Sequence, residues 1–264
     1  MYAKLSNSRE NKLLKGFSLI ELSVVLVIIA FLISAIMFTT QARIDASRIF
    51  VTKKRMQTIV DSLERYVQNY GHLPCPASPT ATTDNKNYGW GTGSNREPAN
   101  CVSAVNLAGS GTDRDLVMGM VPFKTLVPQL NQQIAIDGWG NRFTYIVVEG
   151  YTNESNYSET STDLGDTISI CNNDSGSCSG QTDLGDNDDI VYILIGHGDY
   201  DHNAYNDKTG NRKSISTCDG SSGTCPMDAE NGDSDRVFSF GMPNQDFDDY
   251  VIFRSRWQLP EYIN

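Results

Sequence analysis

The 264-residue chain is 39% hydrophobic and carries a net charge of −11, which excludes a disordered chain and argues against a nucleic-acid-binding surface, since phosphate contacts need Lys and Arg. Six cysteines, Cys75, Cys101, Cys171, Cys178, Cys218 and Cys225, all lie beyond the apolar run near the amino terminus. An even count on one side of such a run suggests disulfides in an oxidising compartment, with free thiols as the alternative, and no Cys-x-x-Cys pair points to zinc.

Residues 1–16 carry Lys4, Arg9, Lys12 and Lys15 against a single Glu10, so the positive-inside rule keeps this end in the cytoplasm and sends the rest across the membrane. From Phe17 to Phe38 the only charge is Glu21. As a helix these residues would rise about 33 Å, enough to cross a hydrocarbon core of about 30 Å. The run is too long for the core of a secretory signal, and no small-x-small cleavage site follows it: Ala42 to Ala46 contains Arg43, Ile44 and Asp45. A carboxylate inside an apolar helix costs up to a few kcal/mol, less near the helix end, and is by default functional. Glu21 therefore needs a partner.

The boundary itself reads Lys15-Gly16-Phe17-Ser18-Leu19-Ile20-Glu21-Leu22, and this resembles the processing site of type IV prepilins and type II secretion pseudopilins. The resemblance implies that a prepilin peptidase cuts between Gly16 and Phe17 on the cytoplasmic face and that the new terminal Phe17 is N-methylated. Glu21 then becomes an assembly residue, paired with the Phe17 amine of its own or a neighbouring subunit. It also implies other pilin or pseudopilin subunits, an inner-membrane assembly platform and membrane lipid as partners, and a single-pass protein whose carboxyl-terminal domain is periplasmic until it enters a filament.

The helical pattern continues beyond the apolar run. No Gly or Pro occurs from Gln41 to Tyr70, and Met56, Ile59, Val60, Leu63, Val67 and Tyr70 recur at helical spacing, while Lys53, Lys54, Arg55, Asp61, Glu64 and Arg65 fall mainly on the other face. Gly71 and Pro74 predict the helix end. The expected organisation is a leader at 1–16, a transmembrane helix half at 17–38, an amphipathic half at 39–71 and a globular domain at 72–264. By resemblance the fold class is α+β, a pilin fold in which the long helix packs on a small antiparallel β-sheet with long loops.

Residues 72 to about 120 are rich in Gly, Ser, Asn and Thr and read as a long loop region that a Cys75–Cys101 disulfide would close. Asp137-Gly138-Trp139-Gly140-Asn141, followed by Arg142, resembles the Asp-Pro-Trp-Gly-Asn-Pro segment of major pseudopilins, where a tight turn leads into the first strand; Gly138 and Arg142 replace the prolines. Strand-like runs follow at Phe143 to Glu149, Thr167 to Ile170, Asp189 to Ile195, Arg236 to Phe240 and Asp249 to Arg254. Cys171–Cys178 and Cys218–Cys225 share one spacing and would each staple a loop tip, with crossed connectivity as the alternative.

His197-Gly198-Asp199-Tyr200-Asp201-His202 is similar to the zinc motif of metallo-β-lactamases, but the chain has only three histidines, the third being His72 far upstream, and such a metal set cannot be completed. No Gly-x-Ser-x-Gly elbow, P-loop or dinucleotide fingerprint appears, and no catalysis is expected. In pseudopilins the loop after this strand can hold calcium, and Asp199, Asp201, Asn203, Asp207, Asp248 and Asp249 offer oxygen ligands of the right kind. A solvated acidic loop is the other reading of the same residues. At the level of function, a filament subunit, pseudopilin or minor pilin, stands against a membrane-anchored periplasmic binding or enzymatic domain with a pilin-type leader. Glu21 favours the filament, because a plain anchor has no use for an acid there.

Overall fold

The computed structural model describes residues 18–91, 101, 105–107, 116–152, 168–172, 190–200, 202–213, 231–232, 237–243 and 247–260, without the side chains of 35–41, 105–106, 169 and 171–172. Its first element is the helix α1 (Leu19–Tyr70), followed by strands β1 (Val105–Asn106), β2 (Leu116–Met120), β3 (Thr144–Val148), β4 (Ser169–Asn172), β5 (Ile190–Gly196), β6 (Val237–Phe240) and β7 (Tyr250–Ser255). The chain divides into two compact units, residues 1–46 and 47–264. The architecture is α+β, with one long helix, antiparallel strands and long connections.

In the first unit the helix from Leu19 onward is exposed at every large apolar residue whose side chain is described, with Leu19 at 86% and Phe31 at 75%. Among the described residues no helix is long and apolar enough to cross a membrane; the side chains of 35–41, which continue the apolar run, lie outside them.

In the second unit the amphipathic reading of α1 holds from Met56 to Val67 and fails at Tyr70. Met56, Ile59, Val60, Leu63 and Val67 are all at most 1% exposed, while Tyr70, which shares their spacing, lies outside the core. Each of those burials contributes about 1.5–3 kcal/mol. The helix ends where the sequence predicts. Gly71 adopts a left-handed φ of 70° and donates its N–H to Val67 O at 2.8 Å, the turn that a glycine makes at least cost.

Five strands form one sheet in the order β1-β2-β3-β5-β7, each neighbouring pair antiparallel. β2 and β3 are buried at every residue and β5 at all but its first. Their side chains join the buried stripe of α1 in one core. Arg254 Nε on β7 reaches Glu64 Oε1 at 3.7 Å, tying the last strand to the helix.

Three of the five predicted runs, at 143–149, 189–195 and 249–254, are the strands β3, β5 and β7. The other two depart from the expected sheet: β4 and β6 pair with each other in parallel, Ser169 opposite Val237 through Asn172 opposite Phe240, apart from the main sheet. A second correction concerns residues 72 to 120, expected to be loop throughout, where β2 pairs along its whole length with β3 and β1 pairs with β2. The Asp137 turn leads into β3 in the middle of the sheet, not into its first strand.

Candidate functional site

Of the residues that the amino-terminal motif singles out, Gly16 and Phe17 lie outside the described residues. Glu21 lies in the first turn of α1 and is exposed; its Oε2 accepts the backbone N–H of Ser18 at 3.3 Å, and the carboxylate faces the positive end of the helix dipole. This acid thus caps its own helix while the apolar side chains around it, Leu19, Ile20, Leu22 and Val24, stay open to the surroundings. A cap uses one carboxylate oxygen here and leaves the group accessible to a cation or amine.

The Asp137-Gly138-Trp139-Gly140-Asn141 segment docks a turn onto the helix. Asp137 Oδ1 accepts the N–H groups of Trp139 and Asn141 at 2.8 and 2.9 Å, and Asp137 N donates to Asn141 O at 2.8 Å, closing the turn on itself. Gly138 N donates to Thr52 Oγ1 at 2.8 Å, and Arg55 Nη1 donates to the carbonyls of Ile136 and Asp137. A proline at 138, as in the segment this one resembles, would supply no such donor. Gly138 also lies so close to the helix that an added Cβ would meet the carbonyl of Arg48. Gly138→Ala should therefore lower folded stability by about 1–3 kcal/mol, read as a fall of several degrees in the thermal midpoint; an unchanged midpoint would mean that the turn can lift from the helix freely.

The residues expected to gather around calcium have other partners. Asp248 Oδ2 accepts the backbone N–H groups of Asp199 and Tyr200, a carboxylate holding a turn. Asp249 Oδ2 accepts Asn231 Nδ2 at 2.8 Å, and its Oδ1 faces His197 Nδ1 at 3.8 Å. Asp207 turns into the protein: Oδ1 accepts Tyr88 OH at 2.5 Å and faces Arg142 Nε at 3.4 Å, and Oδ2 accepts Gln132 Nε2 at 2.8 Å. Asn203, at a left-handed φ of 57°, offers its backbone carbonyl to Arg212 Nε. Asp201 lies outside the described residues. Among the described residues no group of three or more His, Cys, Asp or Glu is placed to hold a metal ion.

Sequence reasoning missed two buried polar clusters. Arg142, only 1% exposed, donates through Nη1 to Pro79 O at 2.5 Å and through Nη2 to Asp207 O at 2.8 Å, with Tyr88 stacked beneath its guanidinium at 5.2 Å. Its position in the motif, where a proline was expected, is the one signal that could have pointed to it. The second cluster centres on His197, which is fully buried; its Nε2 shares a hydrogen bond with Thr144 Oγ1 at 2.7 Å, and burial pushes its pKa down to about 3. This ring is neutral and enclosed. Thr144, His197 and Asp249 line up in the order of a catalytic relay, and each is at most 5% exposed.

Cys75 and Cys101 form the disulfide expected of them, and Glu149 Oε1 accepts Cys101 N at 2.7 Å beside it. Cys178, Cys218 and Cys225, with the side chain of Cys171, lie outside the described residues. Compared with protein families, with curated proteins and with solved structures, the chain matches none of them.

Proposed function

We propose that the chain is a subunit, pseudopilin or minor pilin, of a type IV pilus-like or type II secretion filament, matured by prepilin peptidase between Gly16 and Phe17 and held in the inner membrane until assembly. The observation that carries this reading is a helix open to its surroundings at every large apolar residue from Leu19 to Ile33 and interrupted by one carboxylate, Glu21, in its first turn. Such a surface has to be covered by lipid or by other apolar helices. Glu21 gives the cover a register, because an acid placed among apolar helices is stable only opposite a positive group, and the amine of a mature Phe17 is the nearest one in the sequence.

Mass spectrometry of the protein recovered from a host with its peptidase should begin at N-methyl-Phe17. In the same host Glu21→Val should enter the membrane at least as well as the native chain, having lost a charge, and should be missing from sheared filaments. A mature terminus elsewhere would overturn the assignment and favour the anchored periplasmic domain, whereas normal incorporation of Glu21→Val would mean that the pairing with the Phe17 amine is wrong.

A further inference from the structure

On the second unit's part of α1, Phe50 is 68% exposed, with Lys53 and Lys54 about one helical turn on and both exposed, Lys54 on the face opposite the buried stripe and Lys53 at the stripe's flank. Lys53 Nζ rides over the Tyr250 ring at 5.3 Å, which holds its charge at the surface of the globular unit rather than letting it swing freely. An exposed phenylalanine beside two lysines is an anchor with an electrostatic collar. The rest of the domain has the opposite sign: residues 72–264 carry 27 acidic against 11 basic side chains, a net of −16. Asp84 and Asp199 are among its exposed carboxylates.

Resting on the filament reading, we infer that the Phe50, Lys53 and Lys54 face of α1 docks on the acidic globular surface of a second copy of this chain. The two patches differ, basic helix on one copy and acidic domain on the next, so the contact is heterologous. A contact of that kind does not close into a dimer and propagates instead into an open helical array. Charge complementarity of this form mainly sets partner choice and register, while the desolvated aromatic supplies the anchor. Phe50 stands twelve residues after the apolar run ends, beyond Arg43, Asp45 and Arg48, so a lipid surface is the less suitable cover.

The test places a photoreactive benzoylphenylalanine at position 50 of the full-length chain, expressed with its assembly machinery and irradiated in intact filaments. The expected product is an adduct of two copies whose partner peptide maps within residues 72–264. It should fall about tenfold in the Lys53→Glu, Lys54→Glu double variant, because like charges set against each other across a contact cost several kcal/mol. Both substitutions sit on exposed positions, and a retained Cys75–Cys101 bond checks that the domain has folded. Adducts to lipid alone, to a different protein, or to residues 19–70 of the second copy would overturn the inference, as would filaments containing the chain but giving no adduct. That last outcome would leave the filament reading standing, whereas a chain absent from filaments altogether would end both.

Discussion

Replacing Asp207 with alanine is expected to lower the stability of the folded domain by about 3–5 kcal/mol, because it strips a buried guanidinium of its counter-charge. Arg142 satisfies two donors on the carbonyls of Pro79 and Asp207, but carbonyl oxygens carry no net charge, and the Asp207 carboxylate 3.4 Å away supplies the negative one. The same truncation leaves Tyr88 OH and Gln132 Nε2 without the oxygens they donate to, at 2.5 and 2.8 Å. Three segments donate to this carboxylate: the loop at Tyr88, the short helical turn Gln132–Ala135, and Arg142 just before β3. Removing both charges together, as Arg142→Met with Asp207→Leu, should recover much of the loss, since the isolated charge and not the missing contact is the main cost. Guanidinium unfolding of the full chain in detergent, followed by tryptophan fluorescence, gives the comparison. A single-variant loss below about 1 kcal/mol would mean that water reaches Arg142 and that the cluster is not a closed one.

How much of this was legible beforehand depends on whether the information is local. The amphipathic stripe from Met56 to Val67 and its stop at Gly71 follow from helical period and one glycine, and both stand in the structure. β3, β5 and β7 were readable because apolar, β-branched runs are bounded by Gly and Asp. β2 was not, since Leu116-Val117-Met118-Gly119-Met120 is buried on both faces, shows no alternation and follows a glycine-rich stretch. Pairing is the least local property, and nothing in Thr167 to Ile170 or Arg236 to Phe240 says that these runs choose each other in parallel. The acidic residues show the same limit. Sequence reveals the density of carboxylates around Asp199 to Asp207 but not their direction, and Asp207 points inward to an arginine 65 residues away while Asp248 folds over a turn.

Acid should loosen the domain through His197, and the size of the effect follows from its burial. The ring is fully enclosed with its pKa pushed from 6.5 down to about 3 by desolvation, with the nearby Arg212 and His202 adding to the fall. Thr144 Oγ1 faces Nε2, and Asp249, itself held by Asn231, faces Nδ1 from 3.8 Å. With the folded pKa depressed, the unfolded chain takes up the proton first, so the stabilisation is complete above about pH 6.5 and drains away as the pH falls towards 3, by about 5 kcal/mol in all. Asp137 acts in the opposite sense. Burial raises its pKa from 3.8 to about 6, so the folded state gains the proton first and this residue contributes stability that grows as the pH drops from about 6 to about 4, by roughly 3 kcal/mol. The native profile between those values is consequently shallow, and only single variants expose the two slopes. His197→Gln should be less stable than the native chain near pH 7, with the gap narrowing by about 3 kcal/mol by pH 4, whereas Asp137→Asn should lose ground relative to the native chain over the same interval. Denaturant titrations of the three proteins at four pH values between 4 and 7 would read these slopes. A gap between His197→Gln and the native chain that stays constant with pH would mean that water or an ionised Asp249 reaches the imidazole, and that the ring is not held neutral by its burial.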